Sequence, residues 1–154
     1  MLIGVISDTH GLLRPEAVAA FGDARVEHIL HAGDIGEVTV LETLRTVAPI
    51  TAIRGNIDLS SPCSSLPDTE LVELGGRLLY LVHSIHDLDI NPVVAGISVV
   101  ISGHSHRSSI ELREGVLYLN PGSAGPKRLS LPVTIGFLTV EDEIEPRVLE
   151  LSVG

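Results

Sequence analysis

Short apolar runs alternate with polar segments along this chain, and two periodicities are present. Residues 2–6 and 50–53 are short Val/Ile/Leu-rich runs of the kind found in strands buried on both faces, and residues 27–30 read as a third strand. Two helical patterns lie between them. Residues 15–21 open with Pro15, which suits a first helical turn. Residues 37–47 carry Val40, Leu41, Leu44 and Val47 at helical spacing, and Pro49 stops the run. This βαβαβ order predicts a parallel sheet with right-handed crossovers.

The second half changes character. Residues 70–74 and 77–82 flank Gly75-Gly76, a two-residue hairpin signal. Residues 109–112 and 116–119 flank a turn at 113–115, and residues 134–140 and 145–151 flank 141–143. Pro146 marks an edge strand. Residues 97–101 read as a buried strand, and 91–95 as one helical turn with Pro92 at its start. Hairpins after βαβ units predict two mixed sheets packed together with helices outside, an α/β architecture. The segments 57–68, 84–90 and 121–131 read as loops at the rim of a pocket. No linker or repeat divides the chain, so residues 1–154 are expected to form one domain.

Five apolar runs share an ending. Residues 2–7 lead into Asp8-Thr9-His10, 28–33 into Asp34 and 50–55 into Asn56. Residues 78–82 lead into His83, and 97–103 into His104-Ser105-His106. Open α/β sheets gather ligands at the carboxyl ends of their strands, so these residues are expected to converge. Each alone has a plain reading: Asp8 and Asp34 as turn or cap residues, Asn56 as a turn residue. Together they are expected to form a metal centre.

Asp8, His10, Asp34, Asn56, His83, His104 and His106 offer two carboxylates, one amide oxygen and four imidazoles, with no sulfur. A mixed oxygen and nitrogen set suits Mn²⁺, the first choice here, or Ni²⁺, Zn²⁺ or Fe, better than Ca²⁺ or Cu(I). Seven ligands suit two ions sharing a carboxylate, about 3.5–4 Å apart, the arrangement used for in-line attack on phosphate esters. A water between two such ions loses a proton near neutral pH and becomes a nucleophile.

Composition narrows the partners. Ten basic against twenty acidic residues give a net charge of −10, and Lys127-Arg128 is the only basic pair. That argues against a nucleic-acid patch and against binding to anionic membranes. No apolar stretch approaches the ~20 residues of a membrane span. The single cysteine, Cys63, fits a reducing compartment, so a cytoplasmic location is expected. Aromatic residues are only 3% of the chain, which leaves the core to Val, Ile and Leu. A homo-oligomer stays open.

The ordered set Asp8-Thr9-His10, Gly33-Asp34, Gly55-Asn56-Ile57-Asp58, His83 and Gly103-His104-Ser105-His106, with Asn120-Pro121-Gly122-Ser123, resembles the calcineurin-like metallophosphoesterase superfamily. Within it the chain resembles the small, cap-less YfcE-like phosphodiesterase branch, over about residues 2–151. The resemblance implies a four-layer αββα sandwich and hydrolysis of a small phosphodiester by a metal-bridging hydroxide. It implies that Asp8, His10 and His106 hold one ion, that Asn56, His83 and His104 hold the second, and that Asp34 bridges them. Asp58 would orient its neighbours. Asp34, Asn56 and His104 are the residues expected to serve catalysis directly, and Arg54 is a candidate for substrate phosphate.

Two positions depart from the family pattern. Ser84 follows His83 where relatives usually carry glycine. Ile57 stands where many members carry a histidine that protonates the leaving group. The alternative function is a protein-binding scaffold of the same fold, as in the retromer subunit, which keeps the fold with altered ligands. The remaining positively charged and imidazole residues are read plainly. Lys127 and Arg128 belong to a solvated loop, His31 to the core or the shell behind the ligands, His28 to a sheet surface and His86 to a loop beside His83.

Overall fold

Ten strands form two five-stranded mixed sheets among the described residues. The structure is a computed structural model and describes residues 1–60 and 62–153. Ser61, within the expected 57–68 loop, and Gly154, the last residue of the expected domain, lie outside the described residues.

The first sheet is built from β1 (Leu2–Ile6), β2 (His28–His31), β3 (Ile50–Ala52), β9 (Thr134–Val140) and β10 (Ile144–Glu150), in the order β10-β9-β1-β2-β3. Its β1-β2-β3 part is parallel, as the βαβαβ pattern predicts. The hairpin β9-β10 adds antiparallel to β1, with Pro146 on the edge strand. Helices α1 (Pro15–Ala24) and α2 (Val38–Arg45) bury Ala17, Phe21, Val40, Leu41 and Leu44 against one face. The α1 helix runs past residue 21 because nothing breaks it there. It ends where Arg25 turns left-handed and donates its backbone N–H to the Gly22 carbonyl.

The second sheet has the order β4-β5-β6-β8-β7, from β4 (Thr69–Leu74), β5 (Arg77–Val82), β6 (Ile97–Ile101), β8 (Val116–Asn120) and β7 (Ser109–Arg113). Gly75 and Gly76 both have positive φ, which gives the β4-β5 turn the twist that flanking strands need. Ile3, Val5 and Leu30 meet Leu79, Leu81, Val99 and Ile101 between the sheets, in a core without aromatic residues. The outer layer over this sheet is thin. It consists of the single turn α3 (Pro92–Ala95), capped by the Asn91 side chain, and a 3-10 turn at Ile85–Asp87. The layers thus follow the expected αββα order, with unequal outer layers. Two more 3-10 turns, Asn56–Ser60 and Pro62–Ser65, occupy the expected 57–68 loop. Among the described residues no helix is long and apolar enough to cross a membrane.

Candidate metal centre

The carboxyl ends of β1, β2, β5 and β6 meet across the sheet interface. The Asp8 N–H donates to the Gly33 carbonyl at 3.0 Å, and the Gly103 N–H to the His83 carbonyl at 2.9 Å. Across the sheets, the His104 N–H donates to Asp8 Oδ2 at 3.0 Å. This closeness needs glycine. A Cβ on Gly55 would collide with the Asp34 carboxylate and backbone, and one on Gly103 with Ser7 Oγ and Asp8 Oδ2. Asp8, His10, Asp34, His104 and His106 all adopt positive φ, between 47° and 71°. Aspartate and histidine are among the L residues most often found there, and such strain clusters at functional sites.

Asp8, Asp34 and His83 each have one atom held and one presented. Asp34 Oδ1 accepts from the Ile57 N–H at 3.0 Å, while Oδ2 lies 3.6 Å from His10 Nε2 and 3.3 Å from His83 Nε2. Asp8 Oδ2 accepts from Ser7 Oγ at 2.8 Å and from His104 N–H. Its Oδ1 lies 3.9 Å from both His10 Nε2 and His83 Nε2 and 3.7 Å from His106 Nε2. His83 Nδ1–H donates to the Ala32 carbonyl at 2.7 Å, which turns the Nε2 lone pair to the site. Asp8 Oδ1, His10 Nε2 and His83 Nε2 are buried without a hydrogen-bond partner. Such orphans are costly, and here they face one shared space. Two groups can each hold an ion: Asp8 with His10 and His106, and Asp8 with Asp34 and His83, each with its ligand atoms within 4.8 Å of one another. The donor set therefore fits metal.

Asn56 and His104 stand apart from this buried group. Both are exposed and line the clefts around it, with the His104 ring 5.3 Å from that of His83. Arg54 is engaged elsewhere: its Nε donates to Asp68 Oδ1 at 2.6 Å and its Nη1 to the Ser64 carbonyl at 2.9 Å. It still borders the cleft on the His83 side.

The charges follow from this packing. Burial pushes the Asp34 pKa up, but the His83 side chain, the Ile57 N–H and the charge of His10 outweigh it and hold the carboxyl low. Burial acts to lower the His83 pKa, yet Asp34, the Ala32 carbonyl and the charge of Asp8 raise it. The His106 pKa is lowered, first by burial, then by the charges of Arg128 and His10 against the pull of Asp8.

The residues behind the ligands were only partly anticipated. Asp58, the expected orienting residue, is buried and accepts from the N–H groups of Gly55 (2.8 Å), Ile35 (3.0 Å) and Gly36 (3.0 Å), tying the Asp34 loop to the Asn56 loop. His31 is fully buried. Its Nδ1 accepts from the Gly33 N–H at 3.1 Å, so its Nε2–H donates to Thr9 Oγ1 at 3.0 Å, and Thr9 donates to the Ile35 carbonyl. Asn120 is a brace rather than only a turn residue: its Nδ2 donates to the Gly103 carbonyl (3.0 Å) and Ser105 Oγ (3.1 Å). Ser123 Oγ donates to the Asp8 carbonyl at 3.1 Å. Arg128, read as part of a solvated loop at the pocket rim, borders the ligand cleft. An Asn-Pro-Gly-Ser segment directly after a strand was the available signal for the brace. The rim position of residues 121–131 and the Lys127-Arg128 pair were the signals for Arg128.

Residues 1–143 match the family model of the calcineurin-like phosphoesterase superfamily domain. A probable metallophosphoesterase of Methanocaldococcus jannaschii is 34% identical, over 99% of this chain and 82% of its own length. A solved archaeal phosphodiesterase superposes with a TM-score of 0.81 at 30% identity, covering 97% of this chain and 100% of its own. Vps29 of Entamoeba histolytica shares the fold at a TM-score of 0.76 and 20% identity, over 99% and 100% of the two chains. The chain belongs to the calcineurin-like phosphoesterase superfamily and is a metal-dependent phosphoester hydrolase.

Proposed function

We propose that this hydrolase is a phosphodiesterase that works with two divalent ions, Mn²⁺ foremost. Asp8, His10 and His106 hold one, Asn56, His83 and His104 the other, and Asp34 lies between them. The observation that carries this reading is the position of Asp34 Oδ2, 3.6 Å from His10 Nε2 and 3.3 Å from His83 Nε2, with its partner oxygen already bound to the Ile57 N–H. One free oxygen between two imidazoles of different sets suits a bridge, and Asp34 Oδ2 is nearer to both than Asp8 Oδ1, which lies 3.9 Å from each and belongs to both ligand groups. Bound ions would supply positive charge against the phosphate oxygens and acidify a water for attack.

The protein's own residues set the rest. Asp58, His31 and Asn120 fix the loops, so the ligands are held before an ion arrives. Exposed Asn56 and His104 face the open side, where a phosphate enters. Ile57 places no proton donor beside the leaving group, so activated esters are the better substrates. Arg54 contributes at the cleft border while paired with Asp68. The single cysteine supports a cytoplasmic location.

The named archaeal relative is a phosphodiesterase, which supports diesters over monoesters. Vps29 shares only the fold, and the scaffold reading stays the alternative; the two Asp/His groups able to hold a metal support catalysis. A hydrolysis screen of phosphomonoesters, cyclic nucleotides and other diesters, with Mn²⁺ restored after chelation, tests the proposal. Diester turnover that vanishes on chelation is expected. Two bound ions with no ester hydrolysed under any metal would hand the site to the scaffold reading.

A further inference from the structure

Two clefts of opposite character flank the ligand cluster. One, about 460 Å³, begins at His10, Asp34 and His106 and is walled by Arg107, Arg128, Ile57 and Leu129. The other, about 640 Å³, begins at His83 and is bordered by Asp68, Asp87 and Asp89. His104 and Asn56 lie between, lining both.

Acidic residues outnumber basic ones twenty to ten, yet among the described residues only Arg54 and Arg113 take a carboxylate. The guanidinium groups of Arg107 and Arg128 have no ion pair or hydrogen bond among the described residues, yet both border the same cavity as the ligands. Arg128 is close enough for its charge to act on the His106 ring. Two exposed apolar side chains, Ile57 at 39% and Leu129 at 98% exposure, border the same cleft. Leu129 also has a φ of 47°, a conformation leucine rarely adopts. Apolar side chains and two guanidinium groups in one cleft with the ligands match a substrate with an apolar body and an anion besides the one at the ligand cluster. Arginine binds such anions through planar, paired hydrogen bonds. The opposite cleft carries Asp87 and Asp89 beside the Arg54–Asp68 pair, a weaker place for a second anion.

We propose that the substrate carries a second anionic group beyond its phosphodiester, and that Arg107 and Arg128 receive it while Ile57 and Leu129 contact the body between. The proposal rests on the phosphodiesterase reading and specifies its substrate class: a diester of a phosphorylated nucleoside or a similarly flat, charged alcohol.

The test compares thymidine 5′-(p-nitrophenyl phosphate) with its 3′-phosphorylated counterpart on the Mn²⁺-loaded full chain. Both release the same phenolate, so only the second anion differs. The 3′-phosphorylated ester is expected to have a kcat/KM at least ~10-fold higher, as one charged hydrogen bond provides. The preference should fall with added NaCl. It should collapse toward unity in Arg107→Gln/Arg128→Gln. Calorimetry of thymidine 3′,5′-bisphosphate against thymidine 5′-monophosphate, in both proteins, measures the same preference without turnover. Equal kcat/KM for the two esters, or a preference that survives in the double variant, overturns the inference. A bisphosphate binding preference lost in the double variant, with neither ester cleaved, would keep the subsite and reject the phosphodiesterase reading.

Discussion

The buried and open sides of the ligand cluster are built by different means. Asp8, Asp34 and His83 are buried, each with one atom bound by protein and one left for an ion. Asn56 and His104 are exposed, and their side chains have no hydrogen bond among the described residues. The first group is organised by folding. In the second the His104 backbone is placed by folding while the side chains are left for what binds. Under the proposed function, such a site would hold its first ion on a prepared frame and leave the approach for phosphate adaptable, with the cost of ordering met on binding.

The sharpest way to break this contrast is to remove the atom common to both sides. Asp34→Asn should lower diester turnover by orders of magnitude, since in the proposed mechanism the attacking water depends on both ions. His106→Ala should lower turnover comparably while weakening mainly one ion. Turnover and metal content measured together check both. An Asp34→Asn chain with unchanged turnover would remove that residue from the account.

A smaller effect separates the two sides directly. His104→Ala should weaken only the looser of two binding steps in a Mn²⁺ titration followed by calorimetry, by more than the roughly 10–100-fold seen when only the partners behind a ligand are disturbed. Equal weakening of both steps would mean that the open side is as integral as the buried one.

The leaving group probes the open side chemically. Aryl diesters should react faster than alkyl ones, because a phenolate departs without a proton and an alkoxide does not. Ile57→His should narrow that gap, by up to about 100-fold if the imidazole reaches the leaving oxygen. A rate independent of leaving-group pKa in the unaltered chain would reveal another acid, with His86, at the border of the acidic cleft, or a metal-bound water as the candidates.

The smallest effect concerns the frame itself. Burial holds the His31 pKa down to about 3. The unfolded chain, with a histidine pKa of about 6.5, takes up the proton first as pH falls. The stability due to neutral His31 is therefore complete above pH ~6.5 and declines toward pH ~3, by about 1.4 kcal/mol per pH unit. Urea unfolding of metal-free protein at pH 5 and 7 should show a shallower pH dependence in His31→Asn. Equal slopes would place the titration elsewhere.

Much of this frame was legible in the amino-acid pattern. The runs ending at Asp8, Asp34, His83 and His104 reported both the strands and the convergence, because strand ends in an α/β sheet meet at one edge. Gly75-Gly76 reported a hairpin, and both residues have the positive φ it needs. What escaped the pattern depends on approach between distant segments. The left-handed backbone at His10 and His106 has no signature in the apolar pattern. Arg107 reads as an ordinary surface residue in sequence, and Arg128 as part of a solvated loop at the pocket rim. They become a pair only because the loops after β6 and β8 border one cleft. The 3-10 turns at Asn56–Ser60 and Ile85–Asp87 lack the length over which helical periodicity shows.

The central claim is that Asp34 joins two ions on one chain. Calorimetric titration of chelator-stripped protein with Mn²⁺, read beside elemental analysis, measures it directly. The account predicts two equivalents per chain in the unaltered protein, and weakening of both steps in Asp34→Asn. Saturation at one equivalent, or an Asp34→Asn chain that still takes up two ions with unchanged affinity, would contradict it.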